Sequence, residues 1–93
     1  MEIKSIRVHV YGRVTGVCFR LYAVEQSLLY PDLKGFIRNI NASELESVIQ
    51  GRSADVDRFA DWFKMGPPGA VVNKICISEL PLSESLGIYK IQY

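Results

Sequence analysis

The side chains and spacing best suited to chemistry lie in Tyr11-Gly12-Arg13-Val14-Thr15-Gly16-Val17-Cys18-Phe19-Arg20. Two glycines free this stretch from ordinary backbone limits. It joins an alternating segment, Ile3 to Tyr11, to one with helical spacing, Leu21 to Tyr30. A strand, a glycine-bearing turn and a helix start bring successive backbone N–H groups together, with the positive end of the helix aimed the same way, and such a junction can cradle an anion. Arg20 falls at that end. A cation in the first turn of a helix opposes the macrodipole by about 0.3–1 kcal/mol, and an anion held between the amides and the guanidinium would reverse the sign of that term. The loop therefore reads as a phosphate-sized pocket. The same residues also fit an ordinary strand-to-helix connection with a solvent-exposed arginine, because short Gly-x-Gly patterns are weak signals alone.

Other reactive side chains are few. His9, the single histidine, falls on the polar face of the first segment and reads as a solvated strand residue rather than a general base. Cys18 and Cys76 lie in different segments without Cys-x-x-Cys spacing, so neither a zinc ribbon nor a dithiol redox motif is supported and both thiols are expected to be reduced. Cys18 reads as a small packing residue. The loop lacks the Gly-Lys-Ser/Thr ending of a nucleotide-binding P-loop. It also contains no Asp or Glu between Gly12 and Arg20, so it offers none of the carboxylates that hold magnesium, and no metal or cofactor is expected.

The elements that must position Arg20 follow from periodicity. Ile6, Val8 and Val10 alternate with Ser5, Arg7, His9 and Tyr11, as in a strand covered on one side. Leu21, Val24 and Leu28 recur at helical spacing, widened by Tyr22 and Ala23, and Pro31 stops that helix. Lys34 to Ile40 and Leu45 to Gly51 read as a hairpin around Asn41-Ala42-Ser43-Glu44. Ser53 is the expected N-cap of a second helix, with Val56, Phe59 and Phe63 on its apolar face and Lys64 and Gly66 at its end. Phe59, Trp62 and Phe63 read as core or core-edge residues. Val71 to Leu80 reads as a fourth strand, and Tyr89, Ile91 and Tyr93 share one face of a short fifth.

Two strand–helix–strand halves in this order pack best as an α+β, ferredoxin-like βαββαβ sandwich, an antiparallel sheet with both helices on one face and a short extra C-terminal strand. In that topology the far end of the second strand arrives beside the glycine loop, and Asn39 sits at that end. A neutral amide there can donate to an anion and accept from a water.

Length and charge bound the rest. Ninety-three residues, 48% hydrophobic and 23% charged, suit a single domain, 1–93, with one small core. A net charge of +1 gives no global basic field of the kind non-specific nucleic-acid binders use. An RNA-binding sheet of this topology needs exposed aromatics and a basic surface, neither of which is evident, although Tyr11 and Phe36 are candidates. The amino-terminal segment lacks a long apolar block and no run reaches membrane-spanning length, so a cytoplasmic setting and no membrane partner are expected.

Taken together, Gly12-Arg13-Val14-x-Gly16-Val17-x-Phe19-Arg20, Gly35-Phe36-Ile37-x-Asn39, Val56-x-x-Phe59-x-x-Trp62-x-x-x-Gly66-Pro67-Pro68-Gly69-Ala70 and Tyr89-x-Ile91-x-Tyr93 resemble an acylphosphatase over essentially the whole chain. The resemblance implies metal-independent hydrolysis of the carboxyl–phosphate bond of an acyl phosphate to a carboxylate and inorganic phosphate. It implies that Arg20 binds the phosphate and Asn39 orients the attacking water. The backbone amides of Val14, Thr15, Gly16, Val17, Cys18, Phe19 and Arg20 would surround the anion. The only implied partners are the small-molecule substrate and the phosphate product, and the protein is expected to act as a monomer. Cysteine-nucleophile phosphatases place their cysteine further from the arginine than Cys18 is from Arg20, which disfavours a phosphocysteine. A non-catalytic or accessory domain of the same fold, holding phosphate or a carbamoyl-phosphate-like ligand, is the alternative.

Some positions depart from the family pattern. Thr15 stands where glutamine is frequent, Ser43-Glu44 lacks a turn glycine, Ser47 replaces an aliphatic residue and Tyr89 replaces phenylalanine. If Ser47 faces the core, it costs stability unless its hydroxyl finds a partner.

Overall fold

The structure, a computed structural model, describes residues 2–93. Its elements are β1 (Ile3–Arg13), α1 (Phe19–Ser27), β2 (Lys34–Asn41), β3 (Glu44–Arg52), α2 (Ser53–Phe63), β4 (Val71–Leu80) and β5 (Lys90–Ile91). The strands form one sheet in the order β4-β1-β3-β2-β5. The first four pair antiparallel, as expected for the ferredoxin-like arrangement, and the short extra strand β5 joins β2 in parallel, which makes the sheet mixed. No helix among the described residues is long and apolar enough to cross a membrane.

Alternation decides which face the helices cover. Ile6, Val8 and Val10 of β1, Ile37 of β2 and Leu45 and Ile49 of β3 are buried in one cluster with Phe19, Ala23, Val56, Phe59, Ala60 and Phe63 from the helices. On α2 the expected face is the buried one, and Trp62 packs at its edge. Ser53 is the first helical residue rather than the cap; Arg52 occupies the cap position and no side chain bonds there. Gly66 ends the helix, accepting a left-handed φ of 70° while its N–H donates to Trp62 O. A Cβ at Gly66 would stand 2.6 Å from the Phe19 ring, so this glycine also lets the loop after α2 close over the start of α1.

The first helix differs from its periodicity reading. It spans Phe19–Ser27 and buries Phe19, Ala23 and Ser27, whereas Leu21 and Leu28 are 61% and 73% exposed. The apolar residues are spread around α1, so their spacing alone does not identify the inward stripe. Leu28, three residues before Pro31, is already the C-cap.

On the uncovered face of the sheet the charged residues are paired. Glu46 is nearly buried and accepts hydrogen bonds from both Arg7 and Arg38. Burial by itself raises its pKa, but the two guanidiniums outweigh that and hold the carboxyl below its usual value. His9 is not merely solvated: it hydrogen-bonds Glu44 at 2.7 Å and stacks on Tyr11 with ring centres 4.2 Å apart. Tyr11 thus has a ring partner within the chain, and Phe36 is half-buried, so neither is the freely presented aromatic of an RNA-binding sheet.

Two departures from the family pattern compensate each other. Ser47 is fully buried, and its hydroxyl bonds both Phe36 O and the Tyr89 hydroxyl. Burial pushes the Tyr89 phenol far up, with the Ser47 bond opposing only in part, so it stays neutral. The pair ties the segment before β5 to the centre of the sheet.

Two outcomes follow from these contacts. Ser47→Val strands the Tyr89 hydroxyl and is expected to lower the urea-unfolding free energy by about 1–3 kcal/mol, whereas adding Tyr89→Phe recovers most of that loss; a double variant no more stable than the single would separate the two groups. Because the folded pKa of Glu46 is depressed, its contribution is present above the unfolded value of about 4.3 and disappears as pH falls through the lower folded value. Glu46→Gln should therefore flatten the acid limb of stability between about pH 2 and 5, measured by urea unfolding across that range.

Candidate active site

The loop between β1 and α1 is held from both ends. Gly12 N–H donates to Ser43 O at 2.9 Å and Thr15 Oγ1 donates to Ala42 O at 2.6 Å, so the loop is fastened to the tip of the β2–β3 hairpin. Thr15, a departure from the family pattern, supplies one of these ties. The tip needs no glycine, since none of Asn41 to Glu44 takes a positive φ, and Asn41 braces it: Asn41 Oδ1 accepts from Ser43 N–H and its Nδ2 donates to Glu44. Those bonds from Asn41 and then His9 hold the Glu44 carboxyl below its usual value.

Within the loop two residues adopt left-handed backbone, Gly16 at φ 74° and Cys18 at φ 58°. Glycine does so freely, whereas a residue with a Cβ is strained there by about 1–2 kcal/mol. Left-handed residues alternating with ordinary ones turn successive N–H groups toward one side. Cys18 is also the N-cap of α1, makes no side-chain cap bond, and is followed by no acidic residue in the first turn. Among the described residues, the N–H groups from Thr15 to Leu21 donate to no acceptor in the protein. Val14 differs from expectation here, since its N–H already donates to Gly12 O.

A cavity of about 290 Å³ opens beside this loop, lined by Val14, Thr15, Gly16, Cys18, Phe19 and Arg20, together with Leu21, Asn39, Ile91 and Tyr93. Six of the seven expected loop residues line it. The exception is Val17, whose side chain packs against the core. Cys18 is exposed on the cavity wall rather than packed, which corrects its reading as a small packing residue.

Arg20 and Asn39 come together on the wall of this cavity. Arg20 belongs to no ion pair among the described residues, unlike Arg7 and Arg38, and its guanidinium carbon lies 5.4 Å from the centre of the Tyr93 ring. Asn39 arrives by register: β2 pairs with β3 through Asn39 opposite Leu45, and the irregularity between Asn39 and Asn41 marks the bend into the hairpin. Its Oδ1 is buried without a hydrogen-bond partner. A buried acceptor left open costs about 1–3 kcal/mol, and a donor entering the cavity would relieve it. Unsatisfied N–H groups, an unpaired guanidinium and an open carbonyl oxygen together suit an oxyanion with a water beside it.

Ile91 and Tyr93 carry no signal of a site role in the sequence. Alternation puts them on one face of the last strand, but which element β5 joins, and hence its proximity to Arg20, depends on its parallel pairing with β2.

Comparison with known proteins identifies the lineage. The family model described as acylphosphatase matches residues 6–91. An acylphosphatase of Syntrophus aciditrophicus is 31% identical over 91 residues, covering 98% of this chain and 94% of that protein. The crystal structure of acylphosphatase from Bacillus subtilis superposes with a TM-score of 0.88 at 26% identity, covering 99% of this chain and all of that one. Full-length HypF, in its phosphate- and nucleotide-bound form, matches at a TM-score of 0.86 and 28% identity, with 99% of this chain covering 12% of that one. With its family matched from β1 to β5 and its fold shared along the full length of a solved member, this chain belongs to the acylphosphatase family.

Proposed function

We propose that this acylphosphatase grips the phosphoryl group of its substrate with the N–H groups of Thr15 to Arg20 and the guanidinium of Arg20, while Asn39 orients the attacking water. One observation carries the reading: Arg20, the open Oδ1 of Asn39 and a loop whose donors lack acceptors share one cavity.

The chemistry asks for little else. In an acyl phosphate the leaving group is a carboxylate, which departs as a stable anion and needs no proton, so a general acid is dispensable. Water attacks phosphorus in line with the bond to the carboxyl oxygen; that bond breaks with its electron pair going to the carboxylate, and both protons of the water leave with the phosphate formed, which equilibrates with solvent. The protein supplies position and charge stabilisation. Arginine suits this role because its planar fork grips two oxygens and stays charged at any working pH. The Asn39 carbonyl accepts a hydrogen bond from the water and so turns the water's lone pair toward phosphorus. The loop donors are held in place before substrate arrives, so little reorganisation opposes the transition state. Every group invoked comes from one copy of the chain, which suits a monomer, and the setting proposed for it is the cytoplasm.

The match to a small part of the much longer HypF prompts a second reading, in which the same cradle holds a phosphate-bearing ligand without turning it over. Turnover separates the two. Benzoyl phosphate is expected to be hydrolysed with chelator present, and inorganic phosphate to compete; phosphate binding without hydrolysis would favour the second reading. Arg20→Lys is expected to raise KM and lower kcat, with kcat/KM down by about 10²–10³-fold. Asn39→Ala should lower kcat by about tenfold or more with KM little changed, and an Asn39→Ala enzyme as fast as the parent would remove the water-orienting role.

A further inference from the structure

Three side chains on the cavity wall, those of Leu21, Ile91 and Tyr93, play no part in the phosphoryl assignment. The core does not require two of them there, since Leu21 is 61% exposed and Tyr93 97% exposed. They come from both sides of the cavity. Leu21 follows Arg20 in the first turn of α1, while Ile91 sits opposite Ile37 where β5 joins β2, and the Tyr93 ring stands over the Arg20 guanidinium. Arg20 is the one charged side chain among the lining residues. Once its guanidinium is engaged by the phosphoryl group, the wall has no further cation to meet a second anion.

We infer that this apolar wall receives the acyl group, and that the enzyme selects acyl phosphates with an uncharged, apolar acyl part over those carrying a second anionic group. The inference rests on the phosphoryl assignment above. With phosphorus held at the loop, the acyl carbon skeleton lies against the remaining wall. An aromatic or aliphatic skeleton then removes apolar surface of Leu21 and Ile91 from water, whereas a carboxylate or second phosphate against that wall would give up part of its hydration without gaining a cation. Contacts remote from the reacting bond can be expressed in kcat/KM rather than in binding alone. Tyr93 adds a flat surface suited to an aromatic ring.

The test compares kcat/KM for benzoyl phosphate and 4-carboxybenzoyl phosphate, which differ only by a charge at the far end of the ring, with acetyl phosphate as the check on turnover. The parent enzyme is expected to favour benzoyl phosphate by about tenfold or more. Leu21→Lys, at an exposed position where folding is easily verified by its unfolding midpoint, is expected to shrink that ratio by about tenfold by giving the carboxylate a cation. Equal kcat/KM for the two aromatic substrates in the parent, or a ratio unmoved by Leu21→Lys, overturns the inference while leaving the phosphoryl assignment intact. Failure to turn over any of the three, acetyl phosphate included, overturns that assignment and the inference with it.

Discussion

Peptide N–H groups withheld from any acceptor are destabilising, and the loop from Thr15 to Leu21 withholds a run of them. Such a loop does not persist by its own interactions. Cys18 is held in left-handed backbone at the start of α1, against its intrinsic preference. The restraints come from elsewhere: Thr15 and Gly12 are bonded to the hairpin tip, Phe19 is buried among the aromatics of α2, and Gly66 lets the following loop close against it. The fold stabilises an arrangement of donors that favours an incoming anion.

The same logic explains the contrast between the arginines. Arg7 and Arg38 are engaged by Glu46, where they make a nearly buried carboxylate tolerable on the open face of the sheet. Arg20 is left without a carboxylate, beside the loop and under Tyr93. A guanidinium neutralised within the protein would have less to offer a phosphoryl group. Cation and donors converge because β3 lies between β1 and β2 in the sheet, which brings the end of β2, and Asn39 with it, to the mouth of the loop.

Much of this is legible in the amino-acid order, and the limits are physical. Strict alternation in β1 and the clustered Val56, Phe59 and Phe63 of α2 identify the buried faces because polar residues mark the opposite sides. In α1 the outward residues Leu21 and Leu28 are as apolar as the buried ones, so periodicity selects the wrong stripe. Arg20 stands out because it contradicts the helix dipole. Asn39 has no local signal and emerges through topology and family likeness. The bond between Ser47 and Tyr89 is invisible in either residue alone, although both are recognisable as departures from the pattern. Nor can sequence disclose that Val14 turns its N–H back to Gly12, since that choice belongs to the backbone and not to a side chain.

The interior position of β1, with a partner strand on each side, carries a kinetic consequence. Val8 lies between Ser47 on one neighbour and Ile77 on the other, so the first strand made cannot acquire either partner until much of the chain is available. Chains dominated by such distant pairings reach their native state slowly, because the entropy of closing long segments is lost before the contacts offset it. The bond from Gly12 to the hairpin tip spans one of those closures. An incompletely folded chain can hold native helices and still lack the anion cradle, so regained turnover during refolding is a late reporter, following the global assembly of strands rather than local order.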